Sequence, residues 1–345
     1  MLNLACICEE RRDVNKFILP LLVIIFSIVL SGCQMVDAGV GAAASFTPVS
    51  ETQFVPLTPS PFSDSVVTAL PQLTPTPTLL PPTPTPTPLP LVCPYLHGRT
   101  ESASFSSQAM GEKVRYLVHL PPCYDYYADK SFPVLYLFHG WPMDETHWDS
   151  MGIDELVDDW IVRNLTGPFI IVMPGVSQDG LYVDSSGGTR SFEGMIVDEL
   201  VPLIDESYST WRSPVGRALG GISRGGVWSL EIALRHQDVF GIVGAHSPAL
   251  SLNKPLPQYD PFLLVKDDIS GLRFYLDAGD RDWARPSTMK LRDTLMELEA
   301  DVIYQEHPGA HVDTLWQAGL EDYVDYYTLK WPRSFADLLP ADDGL

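Results

Sequence analysis

The sequence predicts an α/β fold in which a mostly parallel central sheet is covered by helices on both faces. From residue 113 onward, short apolar runs that suit strands buried on both faces alternate with segments of helical spacing. Such alternation is typical of a parallel sheet. Residues 1–92 differ in composition from the rest of the chain. We therefore expect one folded domain, residues 93–345, behind two preceding segments, residues 1–32 and 33–92.

The first segment, residues 1–32, has the features of an export signal. An apolar run of 14 residues at 17–30 follows Arg11, Arg12 and Lys16 and leads into the sequence LSGC, which ends at Cys33. The run is shorter than the roughly 20 residues that span a bilayer, so a transmembrane helix is the weaker alternative. LSGC resembles the lipobox of bacterial lipoproteins, which implies lipidation of Cys33. We expect an exported protein anchored to the outer face of the bacterial cell membrane.

The second segment, residues 33–92, is rich in proline and threonine and ends in TPTPTLLPPTPTPTPLP. Thirteen of the 31 prolines lie here, and charged residues are rare. This composition cannot bury enough apolar area to fold, so we predict a disordered, extended linker with polyproline II character. A ligand for a proline-recognising module and an O-glycosylated stalk are the alternatives.

Two of the five cysteines remain for the folded domain. Cys6 and Cys8 precede the predicted cleavage site and Cys33 takes the lipid, which leaves Cys93 and Cys123. In an oxidising compartment, two remaining cysteines predict a single disulfide, and two buried free thiols are the alternative.

Strands and helices are predicted for most of the domain. Strands are predicted at 113–120, 133–140 and 169–174, in the residues leading to Ser223, and in FGIVGAHS, LRFYLDAG and VIYQEHPG. Helices are predicted at 153–165 and 192–208, in GGVWSLEIALRHQ and STMKLRDTLMELEA, and after His311. Functional residues in such sheets gather beyond the carboxyl ends of the strands.

The motif GISRG, residues 221–225, has the pattern G-x-S-x-G between a predicted strand and a predicted helix. The glycines permit a tight turn that leaves the Ser223 hydroxyl exposed near the positive end of the helix. Ser223 is therefore the predicted nucleophile, and an ordinary helix N-cap is the alternative.

A serine nucleophile needs a base, and the base needs an orienting acid that follows the serine in this strand–turn–helix arrangement. The segment LDAGDRDW offers three carboxylates. Asp277 is expected within the strand and Asp280 in the turn. We select Asp282 as the acid, with Asp280 as the second choice.

Two histidines in HPGAH are candidate bases. His311 follows a Pro-Gly turn and opens the last helix, from which its ring can reach Ser223. His307 lies closer to the strand and is expected to be a packed histidine. The spacing from Ser223 to Asp282 and on to His311 suits one acid loop and one base loop.

An oxyanion hole needs two backbone N–H groups. One is expected from Arg224, which follows the nucleophile. The other is expected from the loop FHGW at 138–141, and since Pro142 has no N–H we select Trp141. His139 is expected to orient this loop and not to transfer protons.

Seven motifs occur in a fixed order along the domain: HLPPCYD, VLYLFHG, IIVMPG, VDELVPLIDESY, GISRGG, LDAGDRD and HPGAH. Together they resemble the esterase family of alpha/beta hydrolases, which includes feruloyl esterases, S-formylglutathione hydrolases, enterochelin esterases and mycolyltransferases. The resemblance covers roughly residues 100–330. It implies an alpha/beta-hydrolase fold with a Ser223, Asp282 and His311 triad and an oxyanion hole at Trp141 and Arg224. The loop after FHG reads WPM, where many relatives have more glycine.

The charge balance of the chain excludes some classes of binding partner and substrate. The chain has 44 acidic and 22 basic residues and a net charge of −22, which argues against nucleic acid as a partner. The domain itself holds 38 of the acidic and 19 of the basic residues, so a neutral ester is the expected substrate. No cofactor is expected, and no metal, because HPGAH lacks the helical spacing of a zinc motif.

The sequence therefore predicts a serine carboxylic-ester hydrolase that acts on a small-molecule or carbohydrate ester. Two alternatives remain at this point. One is an acyltransferase of the same fold. The other is an inactive surface module in which Trp141, Trp148 and Trp283 stack against carbohydrate. As an enzyme, the chain would use these tryptophans and Tyr182 as walls of an acyl pocket.

Overall fold

The structure is a computed structural model that describes residues 94–177, 187–252 and 254–341. These residues belong to a single compact unit of the chain. The predicted signal and linker, the lipidation site Cys33, the proposed disulfide partner Cys93 and the pocket candidate Tyr182 all lie outside the described residues.

Within the described ranges, eight strands form one sheet in the order β1-β2-β5-β4-β6-β7-β8-β9. Six neighbouring strands, β5, β4, β6, β7, β8 and β9, run parallel to one another. The β1–β2 and β2–β5 pairs are antiparallel. The prediction of a mostly parallel sheet is thus confirmed. The strands are β1 (Arg99–Ser106), β2 (Lys113–Leu120), β4 (Val134–Phe138), β5 (Ile170–Pro174), β6 (Arg217–Ile222), β7 (Ile242–His246), β8 (Arg273–Gly279) and β9 (Asp301–His307). A separate two-stranded ribbon pairs β3 (Lys130–Ser131) with β10 (Leu339–Pro340).

Helices cover both faces of the sheet. They are α1 (His147–Ser150), α2 (Ile153–Val162), α3 (Phe192–Gly194), α4 (Val201–Ser207), α5 (Arg224–Arg235), α6 (Pro261–Leu264), α7 (Arg285–Glu297) and α8 (Asp313–Thr328). Alternate side chains of one strand enter different clusters: Tyr136 of β4 packs into one buried cluster and Leu137 into the other. A strand buried on both faces is what its continuous apolar sequence predicts.

Two elements differ from the sequence-based expectation. Strand β1 was not predicted, because RTESASFS is polar and its exposed face carries mostly serine and threonine. It holds its place by pairing in register with all of β2, from Arg99 opposite Leu120 to Ser106 opposite Lys113. The helix predicted at 192–208 contains a π-helical turn at Met195–Leu200 between α3 and α4.

The parallel strands bring four loops to the same edge of the sheet, because their carboxyl ends all point one way. These loops follow β4, β6, β8 and β9, and they carry the candidate residues of the site. Among the described residues, no helix is long and apolar enough to cross a membrane. The same ranges contain no group of three or more His, Cys, Asp or Glu side chains placed to hold a metal ion.

Candidate active site

Ser223 occupies a sharp turn between β6 and α5. Its φ of 54° and ψ of −110° are strained for a residue with a side chain, as expected of a nucleophile elbow. The neighbouring glycines permit close packing: a Cβ at Gly221 would lie 2.3 Å from the Gly225 carbonyl carbon, and one at Gly225 would lie 2.6 Å from the His139 carbonyl oxygen. The helix can therefore start directly on the ends of β4 and β6, with Ser223 half-buried at its positive end.

A hydrogen-bonded relay leads away from this serine. The Nε2 atom of His311 lies 2.8 Å from the Ser223 Oγ. The Nδ1 atom of the same ring lies 2.9 and 3.0 Å from the two carboxylate oxygens of Asp282. These three residues come from loops after three different strands, and the structure brings all of them together.

The carboxylate of Asp282 is buried and rigidly held. The Ala284 N–H donates to its Oδ1 at 2.7 Å. Burial raises the pKa of Asp282, but the hydrogen bonds from His311 and Ala284, together with the nearby Ser247 hydroxyl, hold it below its usual value. The group is therefore an anion at neutral pH, suited to orient the imidazole and to stabilise its protonated form.

The other carboxylates and the second histidine of these loops take different places. Asp280 accepts the Gly309 N–H at 2.8 Å and so stabilises the base loop. Asp277 lies within β8 and is fully buried. His307 ends β9 and faces Asp277, with 3.7 Å between the Nε2 and Oδ2 atoms. Neither Asp277 nor His307 belongs to the relay.

The loop after β4 approaches the serine through Gly140. A Cβ at Gly140 would lie 3.5 Å from the Ser223 Cβ, so the Gly140–Trp141 peptide group lies beside the nucleophile. Arg224 is the first residue of α5, and its N–H is one of the amide groups at the helix start. Gly140 and Arg224 thus both lie next to Ser223, and the roles of the Trp141 and Arg224 N–H groups as oxyanion donors remain predictions.

His139 holds this loop in place. Its Nδ1 donates to the Gly140 carbonyl oxygen at 3.0 Å, and its Nε2 accepts the Val176 N–H at 3.3 Å. Burial lowers the pKa of His139 to about 4, against the opposing effect of the Gly140 hydrogen bond. The ring is neutral at pH 7 and bound to backbone at both nitrogens, as expected for an orienting residue.

The tryptophans predicted to form one platform have different environments. Trp148 is only 1% exposed and donates its Nε1–H to the Phe138 carbonyl oxygen at 3.0 Å, so its assignment to a stacking surface or pocket wall was wrong. Its position in a short helix carries no periodicity that would reveal its burial. Trp141 and Trp283 are 50% and 45% exposed. The Trp283 ring lies against His311, with 4.3 Å between ring centroids and 39° between planes.

Sequence reasoning did not identify three residues around the relay, namely Trp316, His147 and Asp313. The Trp316 ring is nearly perpendicular to the His311 ring, with 5.0 Å between centroids. His147 contacts both Gly140 and Asp313, the first residue of α8. The position of His147 seven residues after Gly140, and of Asp313 two residues after His311, is the only signal that the sequence offers for them.

The chain is similar in sequence to proteins described as esterases. The model of the family described as "Putative esterase" matches residues 107–326, more than half of the chain. An endo-1,4-beta-xylanase/feruloyl esterase of Xylanibacter ruminicola is 34% identical over 192 residues, which cover 54% of this chain and 25% of that protein. An esterase of Mycobacterium tuberculosis is 34% identical over 157 residues, which cover 44% of this chain and 32% of that protein. The matches thus span a quarter to a third of these relatives' length.

Solved structures show the same fold. A ferulic acid esterase superimposes with a TM-score of 0.61 at 20% identity, covering 68% of this chain and 98% of that one. The S-formylglutathione hydrolase of Staphylococcus aureus gives a TM-score of 0.58 at 16% identity, covering 67% of this chain and 99% of that one. The alpha/beta-hydrolase fold expected from the sequence is confirmed, and the chain belongs to this esterase family.

Proposed function

We propose that the protein is a serine carboxylic-ester hydrolase that works through an acyl-enzyme. The observation that carries the proposal is the continuous relay from the Ser223 Oγ through the His311 ring to the Asp282 carboxylate. Hydrogen-bond distances at both steps are what general-base activation of a serine requires.

In the first half-reaction, His311 Nε2 takes the hydroxyl proton as the Ser223 Oγ attacks the ester carbonyl carbon. The carbonyl oxygen becomes an anion and is stabilised by the N–H groups of Trp141 and Arg224. Asp282 holds the Nδ1–H and stabilises the imidazolium. When the tetrahedral intermediate collapses, the bond to the alcohol breaks and His311 gives its proton to the leaving alcohol.

In the second half-reaction, water replaces the alcohol. His311 takes a proton from water as the water oxygen attacks the acyl carbon bound to the Ser223 Oγ. Collapse of this second intermediate breaks the acyl–Ser223 bond and returns the proton to Oγ, releasing a carboxylic acid.

A neutral ester with an aromatic or aliphatic acyl group is the proposed substrate. Large apolar side chains border the site: Trp141, Met143, Trp283 and Val312 are each 39% to 50% exposed. Their area suits an apolar acyl group, while the excess of acidic side chains disfavours anionic substrates. The relative named for xylanase and feruloyl esterase activity supports an acylated carbohydrate as the natural form of that ester.

The test compares wild type with Ser223→Ala on p-nitrophenyl, feruloyl and acetyl-xylan esters. We expect turnover by the wild type and none above background by the variant, with unchanged circular dichroism. Retained turnover in the folded variant would contradict the assignment of Ser223. Product analysis with a sugar acceptor separates hydrolysis from acyl transfer, because a transferase would yield the sugar ester in place of the free acid.

We also propose that the enzyme is exported and lipid-anchored at Cys33, with residues 33–92 as the tether to the membrane. The support is the LSGC sequence behind an apolar run and the proline-rich composition that follows it. Replacing Cys33 by Ser should move the protein from the membrane fraction to the supernatant. Membrane retention of that variant would contradict lipid anchoring.

A disulfide between Cys93 and Cys123 is proposed for the start of the domain. Residues just after each cysteine are close in the structure: the Tyr95 and Tyr126 rings are 5.7 Å apart, and the Arg99 guanidinium pairs with the Asp125 carboxylate at 2.8 and 3.0 Å. Peptide mapping without reductant should recover the two cysteines as one linked peptide. Alkylation of both thiols in the exported protein would contradict the pairing.

A further inference from the structure

Both peptide groups of Gly140 are held by histidine side chains. The Gly140 carbonyl oxygen accepts from the His139 Nδ1–H at 3.0 Å and from the Met143 N–H at 2.9 Å. The Gly140 N–H donates to the Nδ1 atom of His147 at 3.4 Å. In a trans peptide group the carbonyl and the N–H point in opposite directions, so the two bonds to the Gly140 carbonyl set the direction of the Trp141 N–H. The bond to His147 holds the peptide group on the other side of Gly140, from which the Gly140–Trp141 peptide group continues.

His147 reaches the other side of the site through its second nitrogen. Because Nδ1 accepts a hydrogen bond, the neutral ring carries its proton on Nε2, which lies 3.2 Å from the Asp313 Oδ1. Asp313 is the first residue of α8 and lies two residues after His311. One imidazole ring, only 4% exposed, therefore links the loop of the oxyanion donor to the segment of the base.

The Trp316 ring fills the space beside this link. It is nearly perpendicular to the His147 ring, with 6.3 Å between centroids, and to the His311 ring, with 5.0 Å. Trp316 is 5% exposed, so neither histidine can shift toward it without displacing a packed indole. The loop after β4 and the loop after β9 are thus connected both by hydrogen bonds and by packing.

We propose that His147, together with Asp313, is a positioning residue that fixes the Trp141 N–H relative to the His311 ring. The inference rests on the proposed function, since it assigns His147 a part in that reaction. The His147 ring bonds Gly140 and Asp313, and it acts through the loop after β4 and through α8. Rates of acyl transfer depend steeply on the placement of oxyanion donors and base, so loss of this link should lower kcat with little change in KM.

The test uses three substitutions of His147 that separate the effects of its two hydrogen bonds. Asn places an acceptor where Nδ1 lies, and Gln places a donor where Nε2 lies, whereas Ala removes both. With p-nitrophenyl acetate we expect His147→Ala to lower kcat by about 10- to 100-fold and KM by less than about twofold, a smaller loss than removal of an oxyanion donor itself. His147→Asn should recover more of kcat than His147→Gln, because it keeps the bond to Gly140.

Asp313 supplies a second, independent arm. Asp313→Ala should lower kcat about 3- to 10-fold in the wild type but not further in the His147→Ala background, since both changes break one link. Asp325→Asn, an exposed position on the same helix, is the matched control and should leave kcat unchanged.

Each outcome decides the inference. A kcat of His147→Ala within twofold of wild type, with only a lowered melting temperature, would show a merely structural residue. Additive losses in the double variant would also overturn the link. If His147→Ala does not fold, equal kcat values for the Asn and Gln variants would contradict the proposal. A wild type that neither hydrolyses esters nor reacts with a fluorophosphonate would instead overturn the proposed function, and this inference with it.

Discussion

Two sets of hydroxyl, imidazole and carboxylate side chains occur in this molecule, with the same order of groups but different surroundings. The surface set is Ser223, His311 and Asp282, and the buried set is Tyr327, His246 and Asp277. In both sets the histidine Nε2 faces the hydroxyl at nearly the same distance, 2.8 Å in the surface set and 2.9 Å in the buried set. Composition and connectivity therefore do not distinguish a catalytic relay from a structural one.

Geometry and access do distinguish them. His311 has Asp282 at 2.9 Å from its Nδ1, whereas the Nδ1 of His246 lies 3.5 Å from the Asp277 carboxylate and has no hydrogen-bond partner in the described part of the chain. The His246 ring is fully buried and packs on Tyr323 with 3.7 Å between centroids. An ester can reach the surface set only.

The buried set nevertheless supports the surface set. The His246 carbonyl oxygen accepts the Ser223 N–H at 2.8 Å. The Asp277 carboxylate accepts the N–H of Ser247, whose side chain lies close to the Asp282 carboxylate in space. Substitutions in the two sets should therefore have different consequences. Changes in the surface set should alter rate, and changes in buried groups should alter stability.

The largest expected effect follows from Asp282→Asn. The amide would donate to His311 Nδ1 and leave the ring proton on Nε2, where it faces Ser223 and blocks general-base action. We expect kcat to fall by about 10³- to 10⁴-fold with an unchanged melting temperature. The measurement is ester hydrolysis at neutral pH, with Asp280→Asn as the control that keeps activity. A loss of less than tenfold would remove Asp282 from the relay.

Glu231 on α5 is a buried residue outside the relay, and its substitution should change stability and not rate. It is fully buried, neither carboxylate oxygen has a hydrogen-bond partner among the described residues, and burial with the nearby Glu193 charge raises its pKa to about 9. Between the ordinary pKa of 4.5 and this value the unfolded chain ionises while the folded chain does not. The free energy of unfolding should therefore fall as pH rises, by at most about 1.4 kcal/mol per pH unit.

Glu231→Gln removes this ionisation. The variant should gain stability over wild type as pH rises from 5 to 8, while kcat stays within about twofold because the group lies outside the relay. Urea unfolding at several pH values gives the measurement. A stability difference that does not change with pH would show that Glu231 ionises normally in the folded protein.

The smallest effect is expected from Tyr327→Phe. The change removes the hydroxyl that faces the His246 Nε2 and leaves that buried nitrogen unpaired. We expect the free energy of unfolding to fall by about 1 to 3 kcal/mol and kcat to change by less than about threefold. Denaturant unfolding and ester hydrolysis on the same preparation measure both. A loss of rate like that of Asp282→Asn would mean that the buried set takes part in catalysis.

The sequence predicted the parts of the structure that depend on local pattern. Apolar runs predicted β4, β5 and β8. The glycines around Ser223 predicted the sharp turn, because close packing at Gly221 and Gly225 leaves no room for a side chain there and Ser223 itself has a positive φ. The order of the acid and base loops followed from the order of the strands. These features need no knowledge of distant contacts.

Other features depend on contacts between distant residues and left no local signal. Strand β1 is polar and is defined by its pairing with β2. Trp148 is buried by long-range packing, and the bond between His147 and Asp313 joins residues 166 positions apart. The buried set is likewise assembled from β7, β8 and α8, which only the folded sheet brings together.

The most direct test of Ser223 as the nucleophile is covalent labelling with a fluorophosphonate, followed by intact mass measurement and peptide mapping. We predict one phosphonyl adduct per chain, located on Ser223, with none on Ser223→Ala and normal labelling of Tyr327→Phe. Absence of an adduct on the folded wild type, or an adduct on another residue, would contradict the assignment of Ser223 as an activated nucleophile.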